Sequence, residues 1–150
     1  PKQNRTIPPL QYERVIALKQ RRPDLTIELN GGLDTPEQCL DALRNCDGAM
    51  VGRAAYAHPL RWGCIDQLIY GEPERTVRAS DVVLGLIPHA QAHLDRGGRI
   101  WDLCRHLVQL VEGVPGARHW RHNLGVNAQR KGADLAVLEE AARQLLDAGL

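Results

Sequence analysis

Two short motifs combine the residue types that bind phosphate groups in proteins. Asn30-Gly31-Gly32 follows a predicted strand over residues 25–29, and Gly52-Arg53 follows a second predicted strand over residues 49–51. Glycine lets backbone amides approach an anion without an intervening Cβ, and the planar arginine guanidinium can bind phosphate oxygens in a bidentate manner. Either motif alone is usually a tight turn. Together, about 20 residues apart at the ends of successive strands, they predict a phosphate site.

A predicted basic helix near the end of the chain is the second candidate for chemistry. Arg118, Arg121 and His122 are spaced i, i+3 and i+4, so they share one helix face. Such a face suits nucleic-acid phosphates, which provide most RNA affinity without reading sequence. From the residues alone, a solvated basic helix is the favoured alternative. The apolar positions of the same helix predict its buried stripe, which consists of Trp120, Leu124 and Ala128.

The net charge of +1 hides an uneven distribution along the chain. Residues 1–24 and 99–131 each carry a net charge of +4, whereas residues 25–98 carry −4 and residues 132–150 carry −3. Two basic blocks of this kind indicate a local contact with a polyanion and exclude a uniformly basic protein. Solvated helix faces are the alternative explanation.

The sequence also lacks the features of several protein classes. No apolar run approaches the roughly 20 residues that cross a bilayer, and the polar start does not resemble a signal peptide. His89 and His93 have a spacing that can bind metal, but no third ligand accompanies them. We therefore expect no membrane contact, no metal and a cytoplasmic protein with reduced thiols. The thiols, none of them in a CxxC pair, are Cys39, Cys46, Cys64 and Cys104.

The secondary-structure elements that would position these residues show two different patterns along the chain. The first part alternates helix and strand, which is typical of a parallel α/β fold. Its elements are predicted at 12–22 (helix), 25–29 (strand), 36–45 (helix, with a Thr35–Gln38 capping box), 49–51 (strand), 54–58 (helical turn) and 60–69 (helix). Four helices follow with no strand between them, at 80–95, 100–112, 116–128 and 135–147. We place the domain boundary between residues 72 and 73.

Four segments resemble the tRNA-dihydrouridine synthases, and most closely their A-type subfamily. They are NRTIPPLQYERV at 4–15, NGGL at 30–33, DGAMVGRAAYAHP at 47–59 and GVPGARHWR at 113–121. The resemblance runs over nearly the whole chain in the right order, which makes it more specific than any single motif.

The resemblance implies both a fold and an activity. Residues 1–72 would be the last two βα units of a TIM (β/α)₈ barrel that binds FMN, and residues 73–150 a four-helix tRNA-binding domain. The family reduces uridine to 5,6-dihydrouridine in the D-loop of tRNA, here with positions 20/20a expected. FMN carries the hydride and NADPH reloads it.

The resemblance also assigns site residues. Asn30, Gly31 and Gly32 would bind the phosphate and ribityl end of the flavin, and Gly52 with Arg53 the phosphate itself. The residues expected to contact tRNA are Lys2, Arg5, Arg118, Arg121 and His122.

One departure from the family pattern limits what this chain can do. The family's catalytic cysteine lies in the earlier half of the barrel, and none of the four cysteines here matches its context. We therefore expect no catalytic residue in this chain, and no activity without the missing amino-terminal barrel portion. Two alternatives stay open, a non-catalytic RNA-binding helical module with a barrel remnant, and a phosphate-binding barrel enzyme that acts on a small metabolite.

Overall fold

The computed structural model describes residues 9–150, which form two compact units. The first, here called the α/β unit, consists of residues 9–55 and Cys64–Glu74. The second, the helical unit, consists of Tyr56–Gly63 and Arg75–Leu150. The domain boundary between residues 72 and 73 stays a prediction. None of the helices in the described part of the chain is both long enough and apolar enough to cross a membrane.

The α/β unit is built around two parallel strands. Strands β1 and β2 pair with the register Glu28↔Gly48, Leu29↔Ala49 and Asn30↔Met50. Helix α2 packs against β2 and against α4. The elements of this unit are α1 (Tyr12–Arg21), β1 (Glu28–Asn30), α2 (Pro36–Leu43), β2 (Gly48–Met50) and α4 (Ile65–Tyr70). The two elements that cross from one unit to the other are α3 (Arg53–Ala57) and a 3₁₀ helix (Pro59–Cys64).

Helix α2 begins where its sequence predicts, because local capping fixes the start. The Thr35 side chain accepts a hydrogen bond from the Gln38 backbone N–H at 3.3 Å, and Gln38 Oε1 accepts the Thr35 N–H at 3.2 Å. Pro36 occupies the first turn, where its missing N–H costs no hydrogen bond. The predicted capping box is confirmed.

Several predicted boundaries are wrong, and each has a physical reason. The helix predicted over 60–69 begins as the 3₁₀ helix Pro59–Cys64, because Gly63 in the interior of the segment disfavours α-helix. The helix predicted over 100–112 ends at Leu107, where an N–H to C=O bond from Leu110 to Leu107 tightens the chain.

The helical unit contains the four helices that the sequence predicts in this region. They enclose a core in which Val83, Ile100, Cys104 and Leu138 are 0–1% exposed. The stripe predicted on the basic helix is confirmed, with Trp120, Leu124 and Ala128 all buried. The helices are α5 (Ala79–Asp95), α6 (Trp101–Leu107), α7 (Ala117–Gln129) and α8 (Ala136–Asp147).

The short segment Tyr56–Gly63 joins the helical unit through two histidine contacts. The Tyr56 hydroxyl lies 3.0 Å from His106 Nδ1, and the two rings meet edge to face. His58 Nδ1 lies 2.5 Å from Glu112 Oε1. These partners are 50 and 54 residues apart in sequence, so no local pattern could reveal them.

Asp47, which immediately precedes β2, connects the beginning of that strand to the beginning of β1. Its carboxylate accepts hydrogen bonds from Lys19 Nζ and from the Ile27 N–H, both at 2.8 Å, and its own N–H donates to the Ile27 carbonyl at 2.9 Å. Lys19 also donates to the Leu25 carbonyl at 2.8 Å. The bonds from Lys19 and Ile27, in that order, hold the pKa of Asp47 below its usual range.

Leu138→Ala should destabilise the helical unit strongly, because Leu138 is 0% exposed and its truncation leaves a cavity. We expect a loss of about 2–5 kcal/mol in the free energy of unfolding. Leu146→Ala, on the same helix but 53% exposed, is the matched control and should change the free energy by less than about 0.5 kcal/mol. Urea unfolding followed by tryptophan fluorescence reports on this unit alone, since it contains Trp62, Trp101 and Trp120. Equal losses for the two variants would contradict the assigned core.

Acid should weaken the α/β unit through Asp47. A carboxyl group whose pKa is lower in the folded chain stabilises the fold above its unfolded pKa, and this contribution is lost as the pH falls through the folded pKa. The loss should therefore occur below about pH 4. An NMR titration of the Asp47 carboxyl should give a midpoint below the ordinary value, and Lys19→Met should raise that midpoint. An ordinary midpoint that Lys19→Met leaves unchanged would show that the ion pair does not form.

Candidate functional site

The two glycine motifs follow adjacent strands at the same edge of the sheet. Because β1 and β2 are parallel and Asn30 is in register with Met50, the chain leaves both strands at the same level. Gly31-Gly32 continues from the first strand, and Gly52-Arg53 follows one residue after the second. The structure therefore brings together the two segments predicted to bind one phosphate. The binding itself stays a prediction.

The first loop requires glycine because its backbone adopts positive φ angles. Gly31 and Gly32 have φ angles of 121° and 63°, which side chains other than glycine rarely adopt. A Cβ on Gly32 would lie 2.7 Å from Leu10 Cδ1 and 3.2 Å from the Tyr12 hydroxyl. The Tyr12 hydroxyl also donates a hydrogen bond to the Gly31 carbonyl. Asn30, the last residue of β1, is exposed beside this fixed turn.

The second loop is open, and glycine there is not required by packing. A Cβ on Gly52 would have no atom within 4 Å, and its φ is not positive. The adjacent Arg53 is exposed and makes no hydrogen bond or ion pair with any residue in 9–150. Space beside Gly52 and an uncompensated guanidinium are the features that an incoming anion requires. Helix α3 has only five residues, so its dipole adds little to the guanidinium's charge.

The residues predicted to contact tRNA are only partly within the described structure. Lys2 and Arg5 lie outside it. Arg118, Arg121 and His122 are all exposed on α7, as their spacing predicts. Arg121 turns toward the core side of this face, where its Nη1 lies 3.5 Å from the Val111 carbonyl. Arg118 and His122 make no hydrogen bond or ion pair with residues 9–150. Their role in RNA binding is a prediction.

Some residues that shape the site carry no signal in the sequence. Leu10 and Tyr12 support the first glycine loop from positions about 20 residues upstream, and only the tertiary fold reveals them. His93, considered above as half of a metal pair, lies against Asp102 instead, with Nε2 and Oδ2 3.3 Å apart. No group of three possible metal ligands exists among residues 9–150.

Comparison with known proteins shows the family of this chain. Residues 1–147 match the family model for dihydrouridine synthase. The chain is 42% identical over 147 residues to a tRNA-dihydrouridine(20/20a) synthase from Salmonella typhimurium, and this match covers 98% of the chain and 44% of the relative. The enzyme of the same name from Shewanella oneidensis is 42% identical over 141 residues, covering 94% and 42%. That from Escherichia coli K12 is 40% identical over 147 residues, covering 98% and 43%.

The chain thus spans less than half the length of these relatives. The match nevertheless includes both glycine loops and the basic helix α7. This chain belongs to the dihydrouridine synthase family.

Proposed function

We propose that the protein carrying this chain reduces a uridine in the D-loop of tRNA, at position 20 or 20a, to 5,6-dihydrouridine. Three relatives that are 40–42% identical to this chain are tRNA-dihydrouridine(20/20a) synthases, which supports this proposal. The structural observation that best supports the proposal is that the two glycine loops, Gly31-Gly32 and Gly52-Arg53, leave neighbouring parallel strands at the same edge of the sheet. Reaction on tRNA also implies a cytoplasmic protein.

The fold that we propose for the longer protein is a (β/α)₈ barrel followed by a helical domain. Residues 1–72 would supply its last two βα units, and residues 73–150 the helical domain. Two parallel strands joined through α2 support this assignment, because a strand–helix–strand unit of this kind is the repeat from which a (β/α)₈ barrel is built. Within residues 9–150 each strand has one unpaired edge. A two-stranded parallel sheet is seldom stable without further strands.

FMN fits the site as the cofactor, with NADPH as its reductant. When bound, the flavin supplies the hydride that reduces the C5–C6 bond of uracil. This chain would bind the phosphate of the flavin. The backbone N–H groups of Gly31, Gly32 and Gly52 would donate hydrogen bonds to the phosphate oxygens, and the Arg53 guanidinium would neutralise the phosphate's charge. The open space at Gly52, and an Arg53 side chain that no residue in 9–150 pairs, support this fit. Asn30 would contact the ribityl end.

The second function that we propose for this chain is RNA binding. The exposed Arg118, Arg121 and His122 on α7 would contact tRNA phosphates, and a loop containing Lys2 and Arg5 would contact tRNA beside the barrel rim. The proton donor to the uracil ring, a cysteine in this family, is expected outside these 150 residues. The chain would therefore anchor the cofactor and the substrate without performing the proton transfer.

Arg53→Ala should weaken FMN binding while sparing riboflavin, which lacks the phosphate. Hydrogen bonds to a charged group contribute about 1.5–3 kcal/mol, so we expect about a 10- to 100-fold loss of FMN affinity. Calorimetric titration of the longer protein that carries this chain measures both ligands. Arg44→Ala is the matched control, because Arg44 is an exposed arginine of the same unit that pairs with Asp41 at 3.2 Å. Equal losses for FMN and riboflavin would place the phosphate elsewhere.

The activity itself can be tested on an unmodified tRNA transcript. The longer protein with FMN and NADPH should convert one or two uridines to dihydrouridine, as measured by mass spectrometry of the digested nucleosides. The isolated 150-residue chain should form none, because it lacks the catalytic cysteine. Dihydrouridine formed by the isolated chain would contradict that assignment. No product from the flavin-loaded longer protein would favour the alternative of a non-catalytic RNA-binding module.

A further inference from the structure

A polar groove between α7 and α8 has no assigned role. It encloses about 350 Å³ in the helical unit and is closed at one end by the turn that joins the two helices. Sites that bind small molecules have volumes from about 300 Å³ upward. The groove therefore lies at the lower end of this range, which is enough for a single nucleotide. Gly132, with a φ of 80°, forms the turn. The polar and aromatic side chains that line it include Trp120, Asn123, Asn127, Arg130, Lys131 and Gln144.

The groove carries two cationic side chains, Arg130 and Lys131, against one carboxylate, Asp134, that no cation of residues 9–150 pairs, because Glu140 is already paired with Arg143. Glu140 accepts hydrogen bonds from Arg143 at 2.7 Å and from Gln144 at 3.1 Å. Asp134 accepts the N–H of Ala136 at 3.0 Å.

The two cations at the mouth of the groove remain available. Arg130 and Lys131 are exposed, and their side chains make no hydrogen bond or ion pair with residues 9–150. An arginine and a lysine with no internal partner beside a concave surface attract an anion such as phosphate.

The interior of the groove offers partners for a base. The Asn127 side chain is half-buried and forms no hydrogen bond within the described part of the chain, so its amide can both donate to and accept from a base edge. Asn123 is already engaged, with its Nδ2 2.6 Å from His119 Nε2. Leu124 and Trp120 provide an apolar floor, on which an unstacked base loses little by leaving water.

This groove lies on the opposite flank of α7 from the basic face described above. Helical spacing of about 100° per residue places Asn127 about 180° from Arg118 and about 140° from His122 around the axis of α7, and Arg130 lies just beyond the end of the helix. A ligand in the groove would therefore add a contact that the basic face cannot make.

We propose that the α7–α8 groove binds one unstacked nucleotide of the tRNA, with its base against Asn127 and Trp120 and its phosphate on Arg130 and Lys131. This inference rests on the proposed function, in that it assumes tRNA as the substrate. It adds a specific site for a splayed-out nucleotide to a surface that otherwise recognises only backbone phosphates.

The test uses the longer protein that carries this chain, labelled with ¹⁵N, and uridine 5′-monophosphate as the probe. We expect shifts of the Asn127 side-chain amide and the Trp120 indole N–H, which inorganic phosphate should not reproduce. In parallel, tRNA binding is measured against salt concentration. Arg130→Ala/Lys131→Ala should weaken binding about 10-fold and reduce the slope of log affinity against log salt by about 1–2. Arg96→Ala, at an exposed arginine at the end of α5 that lines neither the groove nor α7, is the control.

The outcomes separate this inference from the proposed function. If the unsubstituted protein fails to bind tRNA, the proposed RNA contact fails with it. If Arg118→Ala weakens tRNA binding but the Arg130→Ala/Lys131→Ala variant does not, and the monophosphate shifts neither reporter, the groove alone is wrong. Phosphate that reproduces every shift would reduce the site to an anion site and overturn the nucleotide proposal. The labelled unsubstituted protein decides this point even if a variant fails to fold.

Discussion

The parallel pairing of β1 with β2 is the constraint on which the candidate cofactor site depends. Because the register places Asn30 beside Met50, the chain leaves both strands at one edge and its two glycine loops emerge together. A shift of this register would separate the loops and expose different side chains. The carboxylate of Asp47 helps to fix the register, since it ties the start of β2 to Ile27, just before β1, and to Lys19 on α1.

The sequence predicted the elements well because their signals are local. The Thr35–Gln38 capping box and the apolar stripe of α7 involve residues three or four apart, and both appear in the structure. Strand boundaries were less accurate, since pairing depends on a partner about 20 residues away. The β1 strand begins at Glu28 rather than Leu25 because regular pairing starts only beyond the bonds between Asp47 and Ile27.

The site was predictable as a pair of motifs but not as a geometry. The sequence could not distinguish the glycine that its own backbone requires from the glycine that leaves space. Gly32 has a positive φ and lies against Leu10, whereas in the described part of the chain Gly52 faces open space and its neighbour Arg53 has no partner. Nor could it reveal that Tyr12 fixes the first loop. Contacts of this kind join distant positions and depend on the complete fold, so no spacing rule reports them.

The proposed cofactor site requires that both loops bind the same phosphate. Amide NMR shifts in the longer protein test it most directly, with FMN compared against riboflavin. We expect the N–H signals of Gly31, Gly32 and Gly52 to shift together with the Arg53 guanidinium on addition of FMN, and to respond much less to riboflavin. Signals that shift in only one loop, or equally with both ligands, would contradict the claim.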